Sequence, residues 1–237
     1  MSTSGKPFLA GPRLVLPAEL PALRALNNRH VPAVNALTLP ELAALVEGAL
    51  LALAAWEGAE PRALLLAFGP EGPARGPNHA WIRTHAPGGA SGAAYIDRIV
   101  VDAPARGRGL GRVLYTALAE QAAVAGLTTL GCEVNLDPPN PESLAFHTRL
   151  GFRRLGEATD PRNGKRVAYL ACPVAQFLRS AAMPPLSGAA RLNTSQSQSP
   201  GASSLPGDPP ITRLMSKGMV AVPQHRAAPI RRRGELA

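Results

Sequence analysis

Cysteine is nearly absent from this 237-residue chain: Cys132 and Cys172 stand apart in apolar surroundings. Two such thiols exclude a disulfide scaffold and a cysteine-rich zinc site, and they suit a reducing compartment. No metal is expected. Aromatic residues make up 4% of the chain, so its core must be built from Ala, Leu and Val. No apolar run reaches the roughly 18 residues of a membrane span. Met1 to Lys6 lead into no apolar segment of the kind a secretory signal carries. The expectation is a soluble cytoplasmic protein with no membrane partner. What is present is a hydrophobic fraction of 46%, enough for the core of one domain, in a chain too short for two ordinary domains and a linker.

The net charge of +9 is unevenly placed. Residues 1–172 hold 17 Lys or Arg against 14 Asp or Glu, whereas residues 173–237 hold 8 against 2. The last quarter also contains 9 of the 25 prolines and the polar tract Asn193–Gly201. Such a composition buries too little apolar surface to offset the entropy of ordering it. The reading is a folded domain over residues 8–178 and a disordered, Pro/Ser-rich basic tail over 179–237. Arg226 and Arg231–Arg233 lack interleaved aromatics, so nucleic acid is not an expected partner.

Inside the domain, strand-like and helix-like blocks alternate. Arg13–Leu16 reads as a strand and Pro17–Asn28 as a helix. A second helix follows Thr38, an N-cap with Pro40 in the first turn and Glu41 at the third position. Leu50–Trp56 and Arg62–Phe68 flank a turn and predict a hairpin. Gly69–Asn78 reads as a loop, and Pro87-Gly88-Gly89 keeps His79–Gly92 flexible. Ala93–Val101 is a strand and Gly109–Ala125 a helix with Leu110, Val113, Leu114, Leu118 and Ala122 on one face. Thr128–Asn135 is a strand, Glu142–Leu150 a helix, and Gly151–Glu157 and Arg166–Cys172 close the series. A strand–helix–strand unit beside a hairpin gives a mixed α/β sheet in one domain.

The densest chemistry lies in Arg106-Gly107-Arg108-Gly109-Leu110-Gly111-Arg112, between a strand and a helix. Glycines permit a tight bend and let a ligand approach the main chain. The N–H groups opening the helix point into that bend with the helix dipole behind them, and three arginines add charge. This suits a diphosphate. No Lys follows Gly111, which excludes a P-loop, and the spacing is not that of a dinucleotide fold.

This run fits the R/Q-x-x-G-x-G/A signature of the GCN5-related N-acetyltransferases, which the chain resembles over residues 93–172 and more weakly over 13–70. Cys132-Glu133-Val134-Asn135 is similar to that family's fifth strand. Asn140–Phe152 is similar to its N-x-x-A/S-x-x-x-Y-x-x-x-G-F segment, with His147 in place of tyrosine. The resemblance implies an α/β domain with splayed fourth and fifth strands and acetyl-coenzyme A as co-substrate. It implies that main-chain groups of Ile99, Val100 and Val101 pair with the pantetheine arm, as in strand addition. Backbone N–H groups from Arg106 to Arg112 would take the diphosphate, and Asn140 would hydrogen-bond the cofactor, its loop stiffened by Pro138, Pro139 and Pro141.

The family tyrosine protonates the departing thiolate, and an imidazolium at His147 could do the same. The base that deprotonates the amine is open among Glu133, Asp97 and a chain of waters. Glu133 aligns with a glutamate used by similar N-terminal acetyltransferases of ribosomal proteins. Asp97, which strand alternation sets on one face with Tyr95, Ile99 and Val101, could instead pair with Arg98 or Arg166. His30, His79 and His85 read as surface or loop residues. Trp56 and Trp81 read as packing residues, though Trp81 could line the acceptor site. The expected activity is acetyl transfer to an amine, either a small molecule or a peptide N-terminus. The alternative is an acyl-coenzyme A binding module without turnover. A homodimer is compatible with either.

Overall fold

The computed structural model describes residues 11–71 and 75–182. Its seven strands are β1 (Arg13–Leu14), β2 (Leu51–Glu57), β3 (Glu60–Phe68), β4 (Ala93–Val101), β5 (Thr129–Asp137), β6 (Arg153–Thr159) and β7 (Arg166–Pro173). They form one sheet in the order β1-β2-β3-β4-β5-β7-β6, in which only β4 and β5 pair in parallel. The expected hairpin is the β2–β3 pair.

Helices cover both faces of the sheet. On one lie α1 (Leu20–Asn28), α2 (Leu39–Glu47) and α3 (Pro77–His85), packed on Ala52, Ala54, Leu64, Leu66 and Tyr95. On the other lie α4 (Leu110–Val124), α5 (Pro141–Arg149) and α6 (Val174–Ala182), packed on Leu53, Ala55, Leu65, Ile96 and Cys132. Strands buried on both faces read as continuous apolar runs, which is how Leu50–Trp56 and Arg62–Phe68 look in the sequence.

Local signals act as expected at α2, where the Thr38 hydroxyl accepts from the Glu41 N–H and the Glu41 carboxylate accepts from the Thr38 N–H at 2.7 Å. In α4 the buried stripe is Leu110, Leu114, Tyr115, Leu118, Ala119 and Ala122. Val113, expected on that face, is 50% exposed, because it falls about 100° round the helix from Leu114 on the side away from Tyr115.

Two helices depart from the expected layout. α3 occupies a segment read as loop and flexible chain, starting at Pro77, a residue suited to a first turn. α6 runs to Ala182, past the boundary set at residue 178, and buries Val174 and Phe177. The rest of the expected tail lies outside the described residues. Among the described residues no helix is long and apolar enough to cross a membrane, and no group of three or more His, Cys, Asp or Glu could hold a metal ion.

Candidate active site

β4 and β5 pair only from Ala93↔Thr129 to Ile96↔Cys132. Beyond that register β4 continues on β3 and β5 on β7, so residues 97–101 and 133–137 part. A cleft of about 1210 Å³ opens there, lined by Ile99, Val100, Val101, Glu133 and Asn140 among others. The splay comes with a β-bulge: Leu66 opposes Arg98 and Ala67 opposes Ile96, which leaves Asp97 as the extra residue. The bulge reverses the alternation. Tyr95 faces the same side as Val100, whereas Ile99 and Val101 pack on the side of Ile96. The expected grouping of Tyr95 with Ile99 and Val101 therefore fails at Asp97.

At one end of the cleft the chain turns from β4 into α4. Gly107 and Gly109 have φ of +72° and +78°, and a Cβ on either would meet nothing within 4 Å among the described residues. Glycine serves the left-handed turn there, and the space beside it is open. Gly109 caps α4, so the first N–H groups of that helix face the turn. Gly111 is different: a Cβ there would lie 2.8 Å from the Phe146 ring, so its smallness lets α5 approach α4.

The three arginines separate. Arg106 lines the cleft and donates to the Val101 carbonyl and to Glu142, both at 3.2 Å. Arg112 also lines it and reaches the Ser180 carbonyl at 3.4 Å. The Arg108 guanidinium donates to Glu57 at 2.7 Å instead, which draws it toward β2. Asn140 caps α5, its Oδ1 accepting from the Ser143 N–H at 3.2 Å, and its amide nitrogen is left to donate.

The candidate acid–base residues fall on opposite faces of the sheet. β5 turns Cys132 and Val134 to the α4 side and Glu133 to the α3 side. Glu133 Oε1 accepts from Asn78 Nδ2 at 3.2 Å and from the Tyr95 hydroxyl at 3.1 Å. The residue is only partly buried, yet its Oε2 is out of contact with solvent and has no hydrogen-bond partner among the described residues. Burial, then the nearby Asp97 charge, pushes the Glu133 carboxyl up to about 7 against the pull of the Tyr95 and Asn78 hydrogen bonds. Asp97 is paired, accepting from Arg98 Nε at 2.7 Å, one of the two pairings expected of it.

His147 lies on the α4 side, buried to 2% exposure. Its Nδ1 is 2.7 Å from the Ser143 carbonyl and its Nε2 2.6 Å from the Tyr115 hydroxyl. A carbonyl only accepts, so Nδ1 carries the proton and Nε2 accepts from Tyr115. Burial holds the imidazole down to about 4. That geometry does not support the imidazolium donor expected at this position, because the ring is neutral near pH 7 and its one proton is committed to Ser143.

Sequence reasoning missed Asn78, Tyr95, Asp160 and Tyr169, which gather around Glu133. Asn78 was hidden by the loop reading of its segment, although Pro77 is a helix-start signal. His79, expected at the surface or in a loop, is buried in α3 and stacks on Tyr95 with ring centroids 4.8 Å apart. Trp81 packs as expected, stacking on Tyr169 at 3.9 Å.

Residues 48–152 match the family model described as "Acetyltransferase (GNAT) family". No curated protein sequence matches the chain. Similar solved structures include the ribosomal-protein-S18-alanine N-acetyltransferase from Escherichia coli, with a TM-score of 0.51 and 18% identity over 70% of this chain and 94% of that one. The ribosomal-protein-alanine N-acetyltransferase from Brucella melitensis gives 0.51 and 22% over 69% of this chain and 99% of that one. The yncA protein from Salmonella typhimurium, solved with its cofactor acetyl-CoA, gives 0.53 and 16% over 70% and 94%. At these identities the structures share the fold. The sheet with its parted β4 and β5, the glycine turn into α4 and the match over residues 48–152 agree, and the described domain has the acetyltransferase (GNAT) fold.

Proposed function

We propose that the chain is an acetyl-coenzyme A-dependent N-acetyltransferase whose acceptor is an amine, either a small molecule or a peptide N-terminus, and that Glu133 takes the acceptor's proton. The observation that carries this reading is the position of Glu133. It is the first residue of β5 beyond its pairing with β4, and one carboxylate oxygen there is unpartnered among the described residues.

The cleft fits the cofactor. Parted strand edges suit an extended arm with amide groups, and the open space at Gly107 and Gly109 suits a diphosphate at the helix N-terminus. The main chain of Ile99, Val100 and Val101 would hold the arm. N–H groups between Arg106 and Arg112 would hold the diphosphate, and the Asn140 amide would hold the cofactor beside them. When bound, acetyl-coenzyme A supplies an acetyl group activated as a thioester.

A carboxyl that titrates at about 7 is half ionised near neutrality, so it can accept a proton from an ammonium and pass it on. His147 fastens α5 to α4 through Tyr115 and keeps no proton for the sulfur. Asp97, engaged by Arg98, shapes the field at Glu133 and is not itself the base. An alanine of a ribosomal protein is the acceptor named for two of the similar structures, and a peptide N-terminus is one of the acceptors proposed here.

A binding module without turnover is the second reading, favoured by the neutral His147 where the family has tyrosine. Thiol release from acetyl-coenzyme A over a panel of amines and N-terminal peptides decides between them. An acceptor-dependent rate that Glu133→Gln lowers, with coenzyme A affinity retained, is the expected result. No acceptor-dependent release from any amine would leave the binding module.

A further inference from the structure

Among the groups around the cleft, one buried side chain touches both the proposed base and its surroundings. Asn78 is 5% exposed and stands in the first turn of α3. Its Nδ2 donates to Glu133 Oε1 at 3.2 Å and to Asp160 Oδ2 at 3.4 Å, and its Oδ1 accepts from the Tyr169 hydroxyl at 2.9 Å. The amide can sit only one way round. Ionised carboxylates accept and do not donate, so the nitrogen must face Glu133 and Asp160, and Tyr169 then supplies the hydrogen for the oxygen.

We propose that Asn78 is a positioning residue for Glu133, holding Oε1 so that Oε2, which has no hydrogen-bond partner among the described residues, is the oxygen left to take the acceptor's proton. The proposal rests on Glu133 being the base. It uses three elements that are distant in sequence. α3 brings Asn78, β7 brings Tyr169, and the turn between β6 and β7 brings Asp160, itself held by Arg162 with Nη2 to Oδ2 at 2.6 Å. The start of α3 comes close to the same arginine, since a Cβ on Gly76 would overlap the Arg162 guanidinium. A carboxylate with one oxygen held by two donors has one rotational setting, and the other oxygen is the sole acceptor left.

Other charged and titratable groups face Glu133 and set its baseline. From β4 come Tyr95, which donates to Oε1, and Asp97, whose charge raises the carboxyl. From α3 comes His79, stacked on Tyr95 and its titration held down by burial. Cys132 and Tyr115 lie across the sheet on the α4 side, both buried with their titrations pushed up. Asp160 with Arg162, and Tyr169, complete the surroundings. Against this fixed background the Asn78 hydrogen bond favours the ionised form of Glu133. Removing it must raise the pH at which the carboxylate forms.

The test uses the full-length protein. Glu133 titration is followed by carboxyl ¹³C NMR, independently of turnover, in wild type, Asn78→Leu and Tyr169→Phe. The acid limb of kcat/KM and coenzyme A affinity are measured alongside. In Asn78→Leu the Glu133 titration and the acid limb should both move up by about one pH unit, with coenzyme A affinity unchanged. Tyr169→Phe removes only the hydroxyl that orients the amide and should give a smaller shift of the same sign. It also serves if Asn78→Leu does not fold. An unmoved Glu133 titration in the folded variants overturns the positioning role. A titration that moves while the acid limb stays overturns Glu133 as the base and leaves the contact with Asn78 standing.

Discussion

The two ends of the cleft are made of different material. The end at residues 106–112 is main chain: two glycines at positive φ, a helix N-terminus and space where a side chain would stand. The end at Glu133 is side chain: Asn78, Tyr95, Asp160 and Tyr169 converge from α3, β4, the β6–β7 turn and β7. A backbone site depends on φ angles and on exclusion of Cβ atoms. A side-chain site depends on partners, and its key property, a carboxyl near neutrality, belongs to the whole cluster. The sheet keeps the ends distinct, with His147 and Tyr115 on the α4 side and Glu133 on the α3 side.

The largest expected effect tests the side-chain end. Glu133→Gln should lower the acetylation rate at neutral pH by about 10²-fold or more, the usual contribution of a positioned base, and leave coenzyme A affinity within about threefold. A fall in affinity with an unchanged rate would erase the distinction between the two ends.

The next sharpens the backbone end. Gly109→Val forces a branched residue into the left-handed region and should weaken coenzyme A binding by more than about tenfold. Gly111→Val acts by another route, overpacking against Phe146 at a cost of about 1–3 kcal/mol. Thermal melts of a double-mutant cycle with Phe146→Leu should show coupling for Gly111→Val and none for Gly109→Val.

Smaller effects appear in stability against pH, and they carry opposite signs. Glu133 titrates at about 7 in the fold against an ordinary 4.5. As pH rises through this window the unfolded chain loses the proton first, so Glu133 lowers stability, by about 3 kcal/mol once pH exceeds 7. His147 titrates at about 4 against an ordinary 6.5. As pH falls through that window the unfolded chain gains the proton first, so His147 lowers stability on the acid side by about 3 kcal/mol. The two slopes offset each other between pH 4.5 and 6.5. Relative to wild type, Glu133→Gln should gain stability as pH rises over this range, and His147→Phe should gain as pH falls. Chemical denaturation at several pH values reads both. Parallel curves for either variant and wild type would deny that residue its perturbed titration.

The smallest effect is on turnover in His147→Phe. With the imidazole neutral and held by Ser143 and Tyr115, its loss should change the rate by less than about threefold. A large fall in rate with intact coenzyme A affinity would return His147 to the proton-donor role.

Legibility followed the same division. The glycine turn lies in one stretch, where spacing and residue type are enough, whereas the parted strands and the place of Asn140 beside the cleft were legible through the family resemblance. Glu133 was legible by its resemblance, but not as the residue that stands ahead of Asp97. That preference needs the bulge at Asp97, the Arg98 pairing and the unpartnered Oε2. α6 had a readable pattern in Val174, Phe177, Leu178 and Ala181, masked by a boundary drawn from composition. α3 had only Pro77 at its start and flanks rich in Gly and Pro.

The sequence by itself determined the alternation of elements, the two-faced apolar strands, the Thr38 cap and the backbone turn into α4. Each is a local matter of φ preference, side-chain period and a few adjacent hydrogen bonds. Only the tertiary structure decided that His147 is neutral, that Asn78 touches Glu133, and that Gly111 serves helix packing. Those properties come from burial and from partners as many as 55 residues away in the chain, as at Asn78 and Glu133. Desolvation and convergence of this kind arise only when the elements pack.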